Sequence, residues 1–233
     1  MKIALIGISD INLGKHNLKD PRFDLADSLV EAARKVHAQV DVIGEEQVAD
    51  ADAILVSAGA RLDLILKDLE LVETRLGRDP APAERLVLEQ IQAQLERETF
   101  IRDAGLTAEQ LQTVVAHPFC TIRPVTVATG EDRQAPDALL LRTFREAGYI
   151  CFLTVGGKEN RAWPILSGTT ALEAAGSIHT DMQKGFIRAE IIGFDDFVAA
   201  AGETQAKRAG KQRLETKQYI MQDYDLTTFR FSK

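Results

Sequence analysis

The chain of 233 residues is 45% hydrophobic and 27% charged, and 28 Lys+Arg against 35 Asp+Glu leave a formal net charge of −7. That length suits one large domain or two modest ones around a real core, and the acidic balance excludes holding a polyanion by bulk charge. Two cysteines, Cys120 and Cys151, with four histidines exclude a disulfide framework or a four-ligand zinc site. With a short apolar N-terminal stretch and no apolar run of ~18 residues, a reduced, soluble, cytoplasmic protein without membrane contact is expected.

In chain order, Ile3 to Ile6 is a continuous apolar run ending at Gly7, the pattern of a buried parallel strand opening an α/β unit. Leu25, Leu29, Ala32, Ala33 and Val36 recur at helical spacing and predict a helix over 25–36. Val40 to Ile43, ending at Gly44, and Ala53 to Val56, ending at Ser57, predict two further strands. From Arg61, Leu62, Ile65, Leu69, Val72 and Leu76 fall at steps of three and four, the seam of a coiled coil. The stretch 77–82 stops that helix, and Leu88, Ile91 and Leu95 resume the seam, so an antiparallel hairpin of 61–78 with 83–99 is expected. Thr107 caps a further helix, and Ile122 to Ala128 reads as a strand returning to the α/β part.

Leu139 to Glu146 predicts a short helix, and residues 151–155 a strand closed by Gly156-Gly157 and paired with Ala162 to Leu166. A helix over Thr170 to His179, a strand over Arg188 to Ile192, helical character over Val198 to Lys217, and strands at Tyr219 to Met221 and Thr228 to Phe231 complete an α+β roll.

The segments 151–197 and 209–231, with the phrases GTTALEAAG, IHTD and GFIRAE in order, resemble the TGS domain that closes proteins of the YchF type, the Obg-related P-loop ATPase/GTPase family. DLILKDLELVETRL at 63–76 is similar to that family's coiled-coil arm. The resemblance implies an α/β plus α+β chain in three parts. A shortened, degenerate P-loop-like parallel-sheet domain takes 1–60 and 101–145, a helical arm 61–100, and a β-grasp-like TGS domain 146–233. It further implies ribosome or RNA association through the TGS domain and arm, with no DNA partner, and ATP or GTP with Mg²⁺ as the possible ligand.

The nucleotide elements depart from the family pattern. A P-loop needs G-x-x-x-x-G-K-S/T, whose amides cradle phosphate while the hydroxyl holds Mg²⁺. Here six residues separate Gly7 from Gly14, Asn12 and an acidic Asp10 lie between them, and His16 follows Lys15 in place of the hydroxyl. DPRFDL arrives four residues after His16, leaving no room for the family's helix and first switch. Asp41 to Gly44 keeps a D-x-x-G, and the base-reading N-x-x-E falls on Ala128 to Glu131 with the asparagine lost. Pro118 to Ile122 is similar to the family's first switch but follows the arm, and is read as the approach to the returning strand. If nucleotide binding is retained, its residues are Gly7, Asn12, Gly14, Lys15, His16, Asp41, Gly44 and Glu131.

The acidity lies in residues 1–145, with 17 basic against 24 acidic residues, while 146–233 hold 11 of each. On that neutral portion Arg188, Lys207, Arg208, Lys211 and Arg213 are candidate contacts to RNA phosphate, with Lys207 and Lys211 one helical turn apart. Trp163 and Phe152 are core residues by pattern, with base stacking as the alternative. Consecutive His179, Thr180 and Asp181 cannot converge as a triad. Neither cysteine has a flanking basic group to activate it. No catalytic or metal residue is assigned, and a dinucleotide enzyme is excluded because G-x-G-x-x-G is absent. The expected function is an RNA- or ribosome-associated adaptor with weak or absent hydrolysis; the alternative is an active ATP/GTP-binding protein with an atypical phosphate loop.

Overall fold

A computed structural model describes residues 1–232 and divides them into two compact units. The first comprises Met1–His16 and Val40–Ala147, the second Asn17–Gln39 and the chain from Gly148 onward. The segment 17–39, placed by its sequence position in the P-loop-like domain, therefore belongs with the C-terminal portion.

The elements run β1 (Lys2–Ile6), β2 (Gly14–Asn17), α1 (Pro21–Leu29), β3 (Lys35–Val36), β4 (Gln39–Ile43), β5 (Ala53–Ser57), α2 (Arg61–Leu76), α3 (Pro82–Leu95), α4 (Ala108–Val114), β6 (Val125–Ala128) and α5 (Pro136–Glu146). The C-terminal stretch adds β7 (Tyr149–Thr154), β8 (Asn160–Leu166), α6 (Ala171–Ile178), α7 (Thr180–Lys184), β9 (Phe186–Ile192), α8 (Phe194–Ala199), α9 (Glu203–Arg208), β10 (Arg213–Glu215) and β11 (Leu226–Phe231).

In the first unit the sheet order is β2-β4-β1-β5-β6, with β1 parallel to β4 and β5, and β5 parallel to β6. Ile3, Ala4, Ile54, Leu55 and Val56 are buried, which is why their strands read as unbroken apolar runs. Helix α2 ends at Gly77, and α3 starts with Pro82 at its first turn, where a missing N–H costs nothing. The two helices pack through Ile65, Val72, Leu88, Ile91 and Leu95, while Leu62 remains half exposed. Val114 of α4 and Phe119 beyond it complete the same core. Each such buried side chain contributes about 1.5–3 kcal/mol relative to exposure.

The expected return strand over 122–128 is shorter, beginning at Val125. Residues 118–122 form the turn before it, with the Cys120 and Thr121 amides held by a side chain of α2, and Pro124 has no N–H to pair. At the foot of the helices, Arg75 donates from Nε and Nη2 to the two carboxylate oxygens of Glu84 at 2.7 and 2.9 Å, and His117 Nε2 lies 2.8 Å from the same group. The Arg75 bonds, then His117, hold the Glu84 carboxyl at about 2. A depressed acid stabilises the fold above its ordinary value and loses that contribution as pH falls through the depressed one. Melting followed by circular dichroism is therefore expected to drop between about pH 4.5 and 2, and Glu84→Gln to flatten that drop.

In the second unit the sheet order is β10-β9-β11-β7-β8-β3. Pairing is antiparallel except β11 with β7 and β3 with β8. Helix α6 opens on a capping box of Thr170 and Glu173 and lays Ala171, Ala174 and Ala175 against Phe152, Ile191 and Phe229. Its small side chains let the helix approach the sheet closely.

The helix expected over 25–36 is instead α1, over 21–29. Asp20 accepts the Arg22 N–H at 3.0 Å as N-cap and Pro21 presets the first turn, while Val30 is already extended. Lys35 and Val36 then pair with Asn160 and Arg161. Buried Asn160 ties the segment down: its Oδ1 accepts the Gly156 N–H at 2.8 Å, and its Nδ2 donates to Asp27 Oδ1 at 2.9 Å and the Val30 carbonyl at 2.7 Å. Arg22 bridges Asp20 and Asp223, each at 2.8 Å, with its guanidinium 3.9 Å above the Tyr224 ring.

The helical stretch expected over 198–217 breaks into α8, α9 and β10. Ala201 (φ 55°) and Gly202 (φ 130°) interrupt it, and Gly210 (φ 70°) ends it. In place of a strand over 219–221 there is one bridge, Thr170 with Ile220.

Candidate functional site

The loops leaving the C-terminal ends of a parallel sheet are where such folds place ligands. Gly7 occupies that position after β1, with φ +65°, and a Cβ there would stand 2.8 Å from the Ala60 side chain. Ile11 anchors the loop in the core, and His16 Nε2 lies 2.7 Å from the Asn12 carbonyl. Gly14, Lys15 and His16 do not open a helix; they lie in β2, at the sheet edge, with Lys15 exposed.

Asp41 is opposite Lys2 in the β1–β4 register. Gly7 follows the far end of β1, five residues on, a strand distance of roughly 16 Å. Gly44 ends β4, where a Cβ would collide with the Glu46 carboxylate. After β6, Glu131 is exposed, and its loop is closed instead by Asp132, which accepts the Thr129 N–H and hydroxyl, each at 2.8 Å, and Arg142 Nη2 at 2.9 Å. Thus Gly7, Gly44 and Glu131 leave the same edge of the sheet, whereas Asp41 does not.

The basic candidates are dispersed. Lys207 pairs with Glu203 at 2.7 Å, Lys211 with Asp196 at 3.0 Å, and Arg213 with Glu215 at 3.2 Å. Lys207 and Lys211 do not share a helix face, because α9 ends at Arg208. Arg208 and Arg188 are exposed, and Arg188 stands opposite Arg230 across β9 and β11. Arg230 is neutralised by Glu190 at 2.8 Å, so Arg188 and Arg208 carry the most available charge of the set.

Residues 149–232 match the family model YchF-GTPase_C, described as a protein of unknown function (DUF933). The chain is 33% identical over 233 aligned residues to the "Ribosome-binding ATPase YchF" of Haemophilus influenzae, covering 73% of this chain and 64% of that one. The chain is thus similar to YchF-type proteins. It is also 46% identical over 139 residues to the protein of the same name from Haemophilus ducreyi, 54% of this chain and 38% of the relative. It thus spans less than two thirds of either curated relative's length. The Schizosaccharomyces pombe YchF GTPase structure shares the fold, with a TM-score of 0.78 at 18% identity over 99% of this chain and 97% of that one.

Sequence reasoning missed one organising residue of this chain. Asp68, on α2 and 1% exposed, accepts the Cys120 and Thr121 N–H groups, both at 2.7 Å, and the Thr121 hydroxyl at 2.6 Å. It fastens the 118–122 turn to the helix that follows β5. Burial raises its carboxyl above the ordinary range against the pull of those hydrogen bonds. An acidic residue interrupting an apolar seam one position before Leu69 was the available signal. Its partners, more than fifty residues away, left no local trace. Cys120 has its thiol pushed up, by burial first and then by Asp68, which opposes reactivity. No helix among the described residues is long and apolar enough to cross a membrane, and none of their His, Cys, Asp and Glu groups could hold a metal.

Proposed function

We propose that this chain is a ribosome- or RNA-associated adaptor, built of a TGS domain over 146–233, a helical arm over 61–100 and a P-loop-like domain that has lost efficient nucleotide hydrolysis. The observation that carries the second half is β2. A triphosphate is held by amides converging at a helix N-terminus beside the loop, whereas Gly14-Lys15-His16-Asn17 is an edge strand. The remaining groups fit Mg²⁺-nucleotide poorly: Asp41 sits in the middle of β4, level with Lys2 at the start of β1 rather than with Gly7, and His16 lacks the hydroxyl a hard cation prefers. Support for the first half is that the curated relatives bear the name ribosome-binding ATPase.

Two measurements test this reading. Turnover of ATP or GTP with Mg²⁺ is expected to equal that of a Lys15→Ala variant, and the protein is expected to pellet with ribosomes in a salt-dependent way, weakened by Arg188→Glu with Arg208→Glu. Turnover well above the Lys15→Ala control establishes the alternative, an active ATP/GTP-binding protein with an atypical loop. Absence of ribosome pelleting at low salt removes the adaptor.

A further inference from the structure

The second unit contains an open cleft of about 1060 Å³ that none of the basic candidates above lines. Its apolar surface comes from Trp163 on β8, Ile178 and Met182 on α6 and α7, and Phe231 at the end of β11. The Trp163 ring has two stacking neighbours: buried Phe152 at 6.2 Å and 12°, and the Arg161 guanidinium carbon 4.6 Å from the ring centre. Its indole N–H donates to the Thr154 hydroxyl at 2.9 Å, which fixes the ring plane. Arg161 is held in place by Glu159 at 3.3 Å while a third of its side chain stays exposed. The result is a preorganised aromatic and cationic platform lining the cleft.

Two more groups could meet a ligand, beside the Glu159 and Asp181 carboxylates that also line the cleft. His179 Nδ1 accepts the Asp181 N–H at 3.1 Å, so in the neutral ring Nε2 carries the hydrogen and is a donor. Lys184, at the end of α7, is exposed on the cleft wall. A largely apolar recess with a flat cationic stack, an imidazole N–H and an exposed ammonium is suited to a planar heteroaromatic ring that bears a phosphate. Unpaired bases stack on aromatic rings and on arginine planes in this way.

We propose that this cleft binds an unpaired purine nucleotide, with the base stacked on Arg161 over Trp163 and the phosphate offered to Lys184. The inference rests on the RNA-associated reading above and supplies the site for it. The ligand chemistry is shared by single-stranded RNA and by a free nucleotide.

Trp163 is the chain's single tryptophan, so its emission reports on this cleft alone. Titration of the full chain with AMP and with a short oligoadenylate, read by that emission, is expected to give saturable quenching. Arg161→Ala is expected to weaken binding at least ~5-fold, the lower end for a lost base stack. Lys184→Gln is expected to weaken binding of AMP but not of adenosine. Matched melting curves for the variants guard against misfolding, and the conservative Arg161→Lys is expected to restore binding only in part because it lacks the planar fork.

Saturation by oligoadenylate alone assigns the site to RNA, and by AMP as well, to a nucleotide. Absence of saturable quenching by both, or an Arg161→Ala variant that folds normally and binds unchanged, overturns the proposal. Ribosome pelleting of the same samples separates the two readings. Pelleting without quenching sinks the cleft and leaves the adaptor, and quenching without pelleting does the reverse.

Discussion

Asn160→Ala is expected to destabilise the C-terminal unit by about 3 kcal/mol, the scale of stranding several buried polar partners. The side chain is 0% exposed and is a three-way junction joining the Gly156 amide, the Asp27 carboxylate and the Val30 carbonyl. Truncation to alanine leaves an N–H and a C=O without partners and opens a void beside them. Because the chain has two units, one global melting curve is a poor measure. Hydrogen exchange resolved by segment is the appropriate readout, with protection falling together in 17–39 and 149–166. Asn160→Asp retains the acceptor but sets a second carboxylate against Asp27, so it is expected to be at least as damaging at neutral pH and partly rescued by acid. A loss below about 1 kcal/mol, the ordinary value for one hydrogen bond, shows that the segment 17–39 is held by something else.

Asp68→Ala is expected to cost the first unit about 2–4 kcal/mol by stranding the amides of Cys120 and Thr121 and the Thr121 hydroxyl. The consequence reaches beyond stability. Residues 118–122 precede β6, whose C-terminal end carries the Glu131 loop, so protection from exchange is expected to fall at 118–128 as well as at α2. The pH dependence has a definite sign. Burial raises the folded value of this carboxyl, so its titration contributes fully below the ordinary aspartate value near 4, and that contribution is lost as pH rises through the raised value. The stability advantage of the wild type over Asp68→Asn should therefore be larger in acid than at pH 7. An advantage that grows on going from acid to neutral pH means that hydrogen bonding to the ionised form outweighs its desolvation.

The Glu84 prediction runs in the opposite sense, although both acids belong to the helical part of the same unit. Glu84 is matched by Arg75 and His117, so ionisation is favoured; Asp68 meets amides and a hydroxyl in a buried site, where ionisation is penalised. Partner chemistry, rather than residue type, decides whether acid weakens or strengthens each contribution.

The sequence by itself determined the elements whose local signal no distant contact overrode. Ile3 to Ile6 and Ala53 to Val56 could be read as buried strands because parallel strands covered on both faces need unbroken apolar runs, and Val40 to Ile43 kept enough of that pattern around Asp41. The caps at Thr107 and Thr170 sit within three residues of their partners. Leu88, Ile91 and Leu95 announced their helix face by spacing alone. The phrases that tie the C-terminal third to its relatives were likewise plain.

Tertiary structure alone decided where 17–39 belongs, that GKHN is a strand, and how charge is distributed over the basic residues. Helix α1 buries only Phe23 and Ala26, too little of an apolar face to name its partner. The partner is set by Asn160, Asp223 and Tyr224, more than a hundred residues away in sequence. Four residues of weak strand preference become β2 because the neighbouring strand β4 offers it an unpaired edge, an opportunity that exists only once the sheet has formed. Lys207, Lys211 and Arg213 form a basic run in sequence, yet each meets a carboxylate in the fold. The stacked Arg161 and Trp163 lie in a hairpin that reads as core until α6 and α7 leave the cleft open above it. Local preference is set by neighbours within about a turn of chain, whereas a site is made by groups that only folding brings together.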